Sequence, residues 1–185
     1  MTTTIRKGVT YGPRGEIQSC LFCRILSKQE PACIVYEDDE FVAFKTIAPA
    51  TENHLLVCPR KHIQNYMSLS GPSGARLVRS LVDTGRIALG ADADGAQWSF
   101  HIPPFNSIDH LHLHAIGQRH TLGLLNGLKY WEGSYWCKSA DIAMTELEQT
   151  LDRPDHPATS SSSGPSTTPQ VLPDVSISTI QRSRL

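Results

Sequence analysis

Between residues 19 and 151 the apolar positions change period several times, and each change marks an element. Ser19 stands as an N-cap before Leu21, Phe22 and Ile25, which predicts a short helix over residues 20–27. Strand-type residues over 32–36 and 41–44 flank the acidic stretch Glu37, Asp38, Asp39, Glu40 and predict a hairpin. The run HLLVC at 54–58 reads as another strand, stopped by Pro59. Leu77, Val78, Leu81, Val82, Gly85, Ala88 and Leu89 recur at steps of three and four, the buried stripe of one long helix. Residues 97–102 and 110–116 predict two more strands, joined by the loop PPFNSID, and Ser139 caps a last helix over 140–151. The sum is an α+β fold, about five antiparallel strands with one major helix and short flanking helices.

The pattern fades at both ends. Residues 1–18 are Thr-, Gly- and charge-rich and read as a flexible segment. From Asp152 onward Ser, Thr and Pro dominate, and the few apolar residues cannot offset the entropy of ordering the chain. Residues 152–185 are therefore expected to be disordered, with 171–180 as a candidate contact. A solvated tail and a docking or phosphorylation segment both fit that composition. The chain has 185 residues and 39% apolar content, and the apolar share is concentrated in the middle, so the domain over 19–151 can bury a core. Seventeen Lys and Arg against 18 Asp and Glu argue against a generally basic nucleic-acid binder. Neither a transmembrane helix nor a secretory signal is expected, for no apolar run approaches about 18 residues and the N-terminus lacks an apolar core. Five cysteines without an export signal point to free thiols or metal ligands rather than a disulfide framework.

The densest chemistry lies in His110, Leu111, His112, Leu113, His114. On a strand, alternate side chains share a face, so the three imidazoles line one side and the leucines meet the core. Same-face neighbours sit about 6.5–7 Å apart, which suits a row of rings in a groove. Each ring carries two polar nitrogens that need partners, so three in strict alternation are poor filler. A neutral imidazole can attack an electrophile at pH 7 if one nitrogen is free and the other donates, typically to a backbone carbonyl. Ser107 can add a hydroxyl, and His54 opens a neighbouring strand. Cys20 and Cys23 form a C-x₂-C pair that can chelate Zn²⁺ with two more ligands, or remain two free thiols. No βαβ context supports a redox role for the pair.

The heptapeptide HLHLHAI resembles the signature of the histidine triad superfamily of nucleotide hydrolases and transferases. CLFCRIL, VYEDDEFVAF, HLLVCPRKHI, FHIPPFNSIDHLHLH and SYWCKSAD are similar to its Hint-like branch, the one related to adenosine phosphoramidases and aprataxin. The resemblance covers residues 19–150. It implies His112 as nucleophile toward an α-phosphorus, with His114 on the phosphate oxygens and His110 and His54 beside them. It places Ser107 on the leaving group or a phosphate oxygen. It implies a base and sugar slot of Leu21, Phe22, Ile25, Phe44 and Ile47. Thr46 stands where the family usually has an acidic residue on the ribose, and the HIPPFNS loop offers His101 and Asn106 as polar contacts instead. For the metal it implies Cys20, Cys23, His62 and His110 around a structural zinc, with no organic cofactor.

The implied reaction is hydrolysis of adenosine 5′-phosphoramidates or related AMP conjugates through adenylyl-His112. Alternatives are aprataxin-like removal of AMP from 5′-adenylated nucleic acid, dinucleoside polyphosphate hydrolysis, and a non-catalytic nucleotide-binding module. The chain lacks the C-terminal zinc-finger cysteines and basic tail that go with the aprataxin-like activity, so nucleic acid is an unfavoured partner. The resemblance further implies a purine nucleotide substrate, a homodimer and no membrane partner, in the cytoplasm and/or the nucleus.

Overall fold

A computed structural model describes residues 3–151. The expected disorder of 152–185, with the candidate contact at 171–180, lies outside the described residues. Residues 4–20, expected to be flexible up to residue 18, instead form an antiparallel three-stranded sheet of β1 (Thr4–Arg6), β2 (Val9–Tyr11) and β3 (Ile17–Cys20). The β1–β2 turn is Lys7 and Gly8, both at positive φ (47° and 68°). That two-residue turn matches the twist of its strands, and glycine takes such a φ without a Cβ penalty. Three-residue strands are too short to show a period, and only Val9 is fully buried, so the sheet left little mark on the pattern.

Ser19 is the second correction. It pairs with Thr10 inside the N-terminal sheet, and the first helix, α1 (Leu21–Leu26), is capped at Cys20 without a side-chain bond. The hairpin of β4 (Ile34–Glu37) and β5 (Phe41–Lys45) follows, then β6 (His54–Pro59) and the long helix α2 (Gly71–Leu89). Gly85 lets α2 lie close on the sheet, since a Cβ there would stand 2.6 Å from the Trp98 ring. After α2 come β7 (Gln97–His101), β8 (Leu113–Ile116), α3 (Leu124–Lys129), β9 (Cys137–Ser139) and α4 (Ala140–Glu148). The Ser139 hydroxyl accepts from Ile142 N–H, as the capping pattern predicts. Among the described residues no helix is long and apolar enough to cross a membrane.

The main sheet is antiparallel in the order β4-β5-β6-β8-β7-β9, one strand more than the pattern predicts. Strand β9 escaped notice because three residues, Cys137, Lys138 and Ser139, carry no readable alternation. Period two sorts the sheet's faces. Phe41, Ala43, Leu55, Val57, Phe100, Leu113 and Ala115 join Val78, Leu81 and Leu147 on the side of α2 and α4. Val42, Phe44, Leu56 and Cys58 pack with Phe22, Ile25 and Leu26 of α1 and with Val9 on the other side. The even-numbered residues of β8 therefore face away from α2, on the α1 side. Cys58 and Cys137 are buried, whereas Cys33 is exposed.

Candidate active site

The strand expected over 110–116 enters the ladder only at Leu113. Val57 pairs with Leu113, so Pro59 would oppose Leu111, and a proline has no N–H to give to a ladder. Leu111 N–H turns instead to Ile63 O at 2.6 Å. His110 and His112 thus sit on an extended segment beside the sheet, and His114 sits within it, between Leu56 and Ser99.

The bonding pattern assigns a proton to each ring. His112 Nδ1–H donates to its neighbour's carbonyl, His110 O, at 2.6 Å. Its Nε2 is buried without a hydrogen-bond partner and keeps its lone pair. His54 Nδ1 accepts from Ala50 N–H at 3.0 Å, so its own proton is on Nε2 and points at His114 Nδ1, 2.9 Å away. His114 in turn carries its proton on Nε2, which is also buried and unpartnered. A free lone pair and a free N–H therefore stand side by side, on rings whose centroids are 5.1 Å apart. Leaving each buried polar atom unmatched costs about 1–3 kcal/mol, which a ligand carrying an electrophile and an oxygen acceptor would recover.

Burial keeps these rings neutral. Desolvation pushes both His54 and His112 down to about 4 and holds His114 well below the usual histidine range. Neighbouring imidazoles add to the effect on His114. The lone pair on His112 is thus available throughout the neutral range.

His101 joins this cluster. Its ring lies 4.6 Å from that of His114 and 5.0 Å from that of Tyr130, and its Nε2 donates to Lys129 O at 3.3 Å. Tyr130, 2% exposed, also meets His54 and His114 edge-on and was not singled out from the sequence. Nothing local marks it; it reaches the cluster through the fold.

The expected slot is only partly assembled. Phe22 meets the His112 ring edge-on at 5.3 Å and packs on Phe44 at the same distance. Ile25 is buried beside them, Leu21 is 38% exposed, and Ile47 is fully exposed. Thr46 O γ1 accepts from Ala48 N–H at 3.4 Å, a local turn contact. Asn106 is not free for a nucleotide. Its Oδ1 accepts from Lys7 Nζ at 2.8 Å, and its Nδ2 donates to Ile108 O at 3.1 Å and Asp109 Oδ1 at 2.9 Å. Ser107 is exposed on the same loop.

His110 faces the cysteines. Its Nε2–H donates to Pro59 O at 3.0 Å, which directs the lone pair of Nδ1 toward Cys20 Sγ at 3.6 Å and Cys23 Sγ at 3.5 Å. His62 Nδ1 lies 3.4 Å from Cys23 Sγ. The four ligand atoms lie within 4.8 Å of one another and could hold a metal ion. A hydrogen bond from Cys23 draws the Cys20 thiol well below its ordinary value, while Cys23 is pushed up by sharing its proton with Cys20. Both nitrogens of His110 are thus committed, one to Pro59 O and one toward the expected metal set of Cys20, Cys23 and His62.

The family described as scavenger mRNA decapping enzyme C-term binding, a histidine-triad-like domain, matches residues 19–128. A Xenopus tropicalis protein named adenosine 5′-monophosphoramidase HINT3 is 37% identical over 135 residues, covering 70% of this chain and 88% of its own length. An Arabidopsis thaliana protein, bifunctional adenosine 5′-phosphosulfate phosphorylase/adenylylsulfatase HINT4, is 38% identical over 55% of this chain and 72% of its own. Among solved structures, a HIT family hydrolase from Clostridium thermocellum superposes with a TM-score of 0.51 at 25% identity, over 58% of this chain and 97% of its own. With three alternating imidazoles on β8 and the extended segment that leads into it, and a family match over more than half its length, the chain belongs to the histidine triad superfamily.

Proposed function

We propose that the protein hydrolyses adenosine 5′-phosphoramidates and related AMP conjugates through a covalent adenylyl-His112 intermediate. The observation that carries this reading is the pair of His112 nitrogens, Nδ1 donating to His110 O and Nε2 buried and unbonded. The relatives named as adenosine 5′-monophosphoramidases support it. Nε2 attacks the α-phosphorus, the P–N bond breaks, and the departing amine takes a proton relayed from solvent by Ser107. The ring is then an imidazolium, and the His110 carbonyl accepting its Nδ1–H stabilises that charge. His114 Nε2–H donates to a phosphate oxygen as negative charge develops there. Water attacks the phosphorus in the second step, His112 leaves as a neutral ring, and AMP and one proton are released. Phe22 and Phe44 form the apolar wall beside the nucleophile and offer the base an edge.

A substrate panel tests the reaction. AMP-lysine-type phosphoramidate, adenosine 5′-phosphosulfate, diadenosine polyphosphate and 5′-adenylated DNA are assayed side by side. The phosphoramidate is expected to have the highest kcat/KM. Preference for the adenylated DNA, or AMP binding without turnover of any of the four, would reject the reading.

Cys20, Cys23, His62 and His110 fit a structural Zn²⁺. Tetrahedral zinc with sulfur and nitrogen ligands sets them about 3.5 Å apart, and the Cys20–His110, Cys23–His110 and Cys23–His62 separations run from 3.4 to 3.6 Å. The Pro59 carbonyl on His110 Nε2 is the outer partner that a ligating imidazole normally has. Bound there, zinc would cross-link α1 to the triad segment, and four protein ligands leave no open position for water. About one zinc per chain is expected in protein purified without chelator. Cys23→Ser is expected to lose the metal and lower Tm by roughly 5 °C or more, since the ligands converge only in the folded chain. Metal-free protein with unchanged Tm would show two ordinary thiols instead.

A further inference from the structure

The nucleophile rides on a segment that no ladder holds, and residues 109–111 are fastened by three bonds. Asp109 N–H donates to Lys7 O at 2.9 Å, His110 Nε2–H to Pro59 O at 3.0 Å, and Leu111 N–H to Ile63 O at 2.6 Å. The first fastening comes from the N-terminal sheet, which the reaction does not otherwise use. Its Lys7–Gly8 turn is wedged in place. Gly8 O accepts from Leu21 N–H at 3.0 Å, at the start of α1. A Cβ on Gly8 would meet Ile108 Cδ1 at 2.7 Å, so glycine lets the turn lie close against the loop.

The side chains tighten the same joint. Asp109, whose side chain is 3% exposed, pairs with Arg6 Nε at 2.8 Å. It also accepts from Asn106 Nδ2 at 2.9 Å, Tyr11 OH at 3.3 Å and Gln64 Nε2 at 3.4 Å. Lys7 Nζ donates to the Pro104 carbonyl, and to Asn106 O at 2.6 Å, which holds the loop that carries Ser107. A buried carboxylate holding four donors, two from the N-terminal hairpin, one from Gln64 and one from its own loop, is a rigid anchor.

We propose that Asp109 is a positioning residue of the reaction, clamped by the N-terminal hairpin so that the His110 carbonyl keeps the His112 proton on Nδ1. In water a neutral imidazole populates both tautomers, and the form protonated on Nε2 has no lone pair at that nitrogen, the one that attacks. The carbonyl at 2.6 Å selects the reactive form and aims it. Asp109 is the residue immediately before that carbonyl's own, so its fastening sets where the carbonyl lies. A displacement of about 1 Å in such a group can cost about a hundredfold in rate.

This inference rests on His112 as the nucleophile, and its test has one readout that needs no substrate. In the full-length chain, Asp109→Ala is expected to lower kcat about tenfold to a hundredfold on AMP-phosphoramidate, with KM within about threefold. The ¹⁵N shifts of the His112 ring are expected to move from a single Nδ1–H form to a mixture of tautomers. Asp109→Asn, which keeps one acceptor oxygen for Arg6 and Tyr11 but sets an NH2 against Asn106 Nδ2, is expected to recover part of both. Arg6→Ala, on the exposed side of the pair, is expected to give a smaller loss in the same sense, and it decides the matter if Asp109→Ala does not fold. Bound metal per chain is expected to stay at the wild-type value. A folded variant with wild-type kcat and an unshifted His112 ring overturns the proposal, as does a fall in kcat that follows loss of metal. If the wild type turns over no phosphoramidate, the reaction assigned above fails, while the ring shifts still judge the role of Asp109.

Discussion

Replacing His112 by alanine is expected to lower turnover by at least about a thousandfold, the scale for removing an essential catalytic group and about 4 kcal/mol in barrier. No other triad ring can take over. His114 Nδ1 already accepts from His54, and its Nε2 carries the proton. His110 has given one nitrogen to Pro59 O and turned the other toward the cysteines. The fold is expected to survive, because the His112 side chain makes one hydrogen bond, to its neighbour's carbonyl. His112→Asn is expected to bind AMP while failing to form the covalent adduct. Rapid-quench assays for an acid-labile adenylyl-protein, with circular dichroism as the control for folding, check both variants. Near-normal turnover by folded His112→Ala would remove His112 from the role of nucleophile.

Acid is expected to destabilise the domain well above the pH at which its carboxylates protonate. His54 titrates at about 4 in the folded chain and near 6.5 when unfolded, because burial disfavours its charged form. Between those values the unfolded chain binds a proton that the folded chain does not, so stability falls as pH drops through that window. The full contribution of His54 is of order 3 kcal/mol. His114, also held well below the usual histidine range by burial, adds in the same direction. Asp109 acts at lower pH. Its folded value lies below its ordinary one, under the combined influence of Asn106, Gln64 and Arg6 against the cost of burial, so its stabilising charge is lost only in stronger acid. Urea unfolding at pH 7.5, 6 and 5 is expected to show a steady loss. His54→Gln is expected to be less stable at pH 7.5 and to lose less on acidification. Equal unfolding free energies at pH 7.5 and 5 would show that the rings are not held neutral by the fold.

The two expectations draw on the same construction. One face of the sheet receives the α2 core and leaves its other face to α1 and the imidazoles, so the histidines are buried among Phe22, Phe44 and Tyr130. Burial removes water from the reacting nitrogen and simultaneously makes the rings costly to charge. Reactivity at neutral pH and sensitivity to acid are therefore consequences of one placement.

Much of that placement was legible in the chain. Strict alternation at 110–114 put three imidazoles on one side, and the stripe from Leu77 to Leu89 marked the helix that covers the opposite side of the sheet. Both are local, since a period of 2 or of 3.6 is a property of backbone geometry. The donor set Cys20, Cys23, His62 and His110 was carried by resemblance, and the structure brings its four ligand atoms together.

What the tertiary structure alone decided is which partner each polar atom meets. Ala50 N–H sets the His54 tautomer and, through it, that of His114. Pro59 O turns His110 from the pocket to the cysteines. His101 and Tyr130 arrive beside the triad from β7 and from the end of α3, and Lys7 reaches Asn106 from 99 residues away. Residues 4–20 showed no period because their strands are short, and their order comes from docking on the triad loop. Side-chain spacing tells which residues share a face. Proton position, ring orientation and the hold on an unpaired segment depend on groups distant in the chain, and those meet only when the sheet closes.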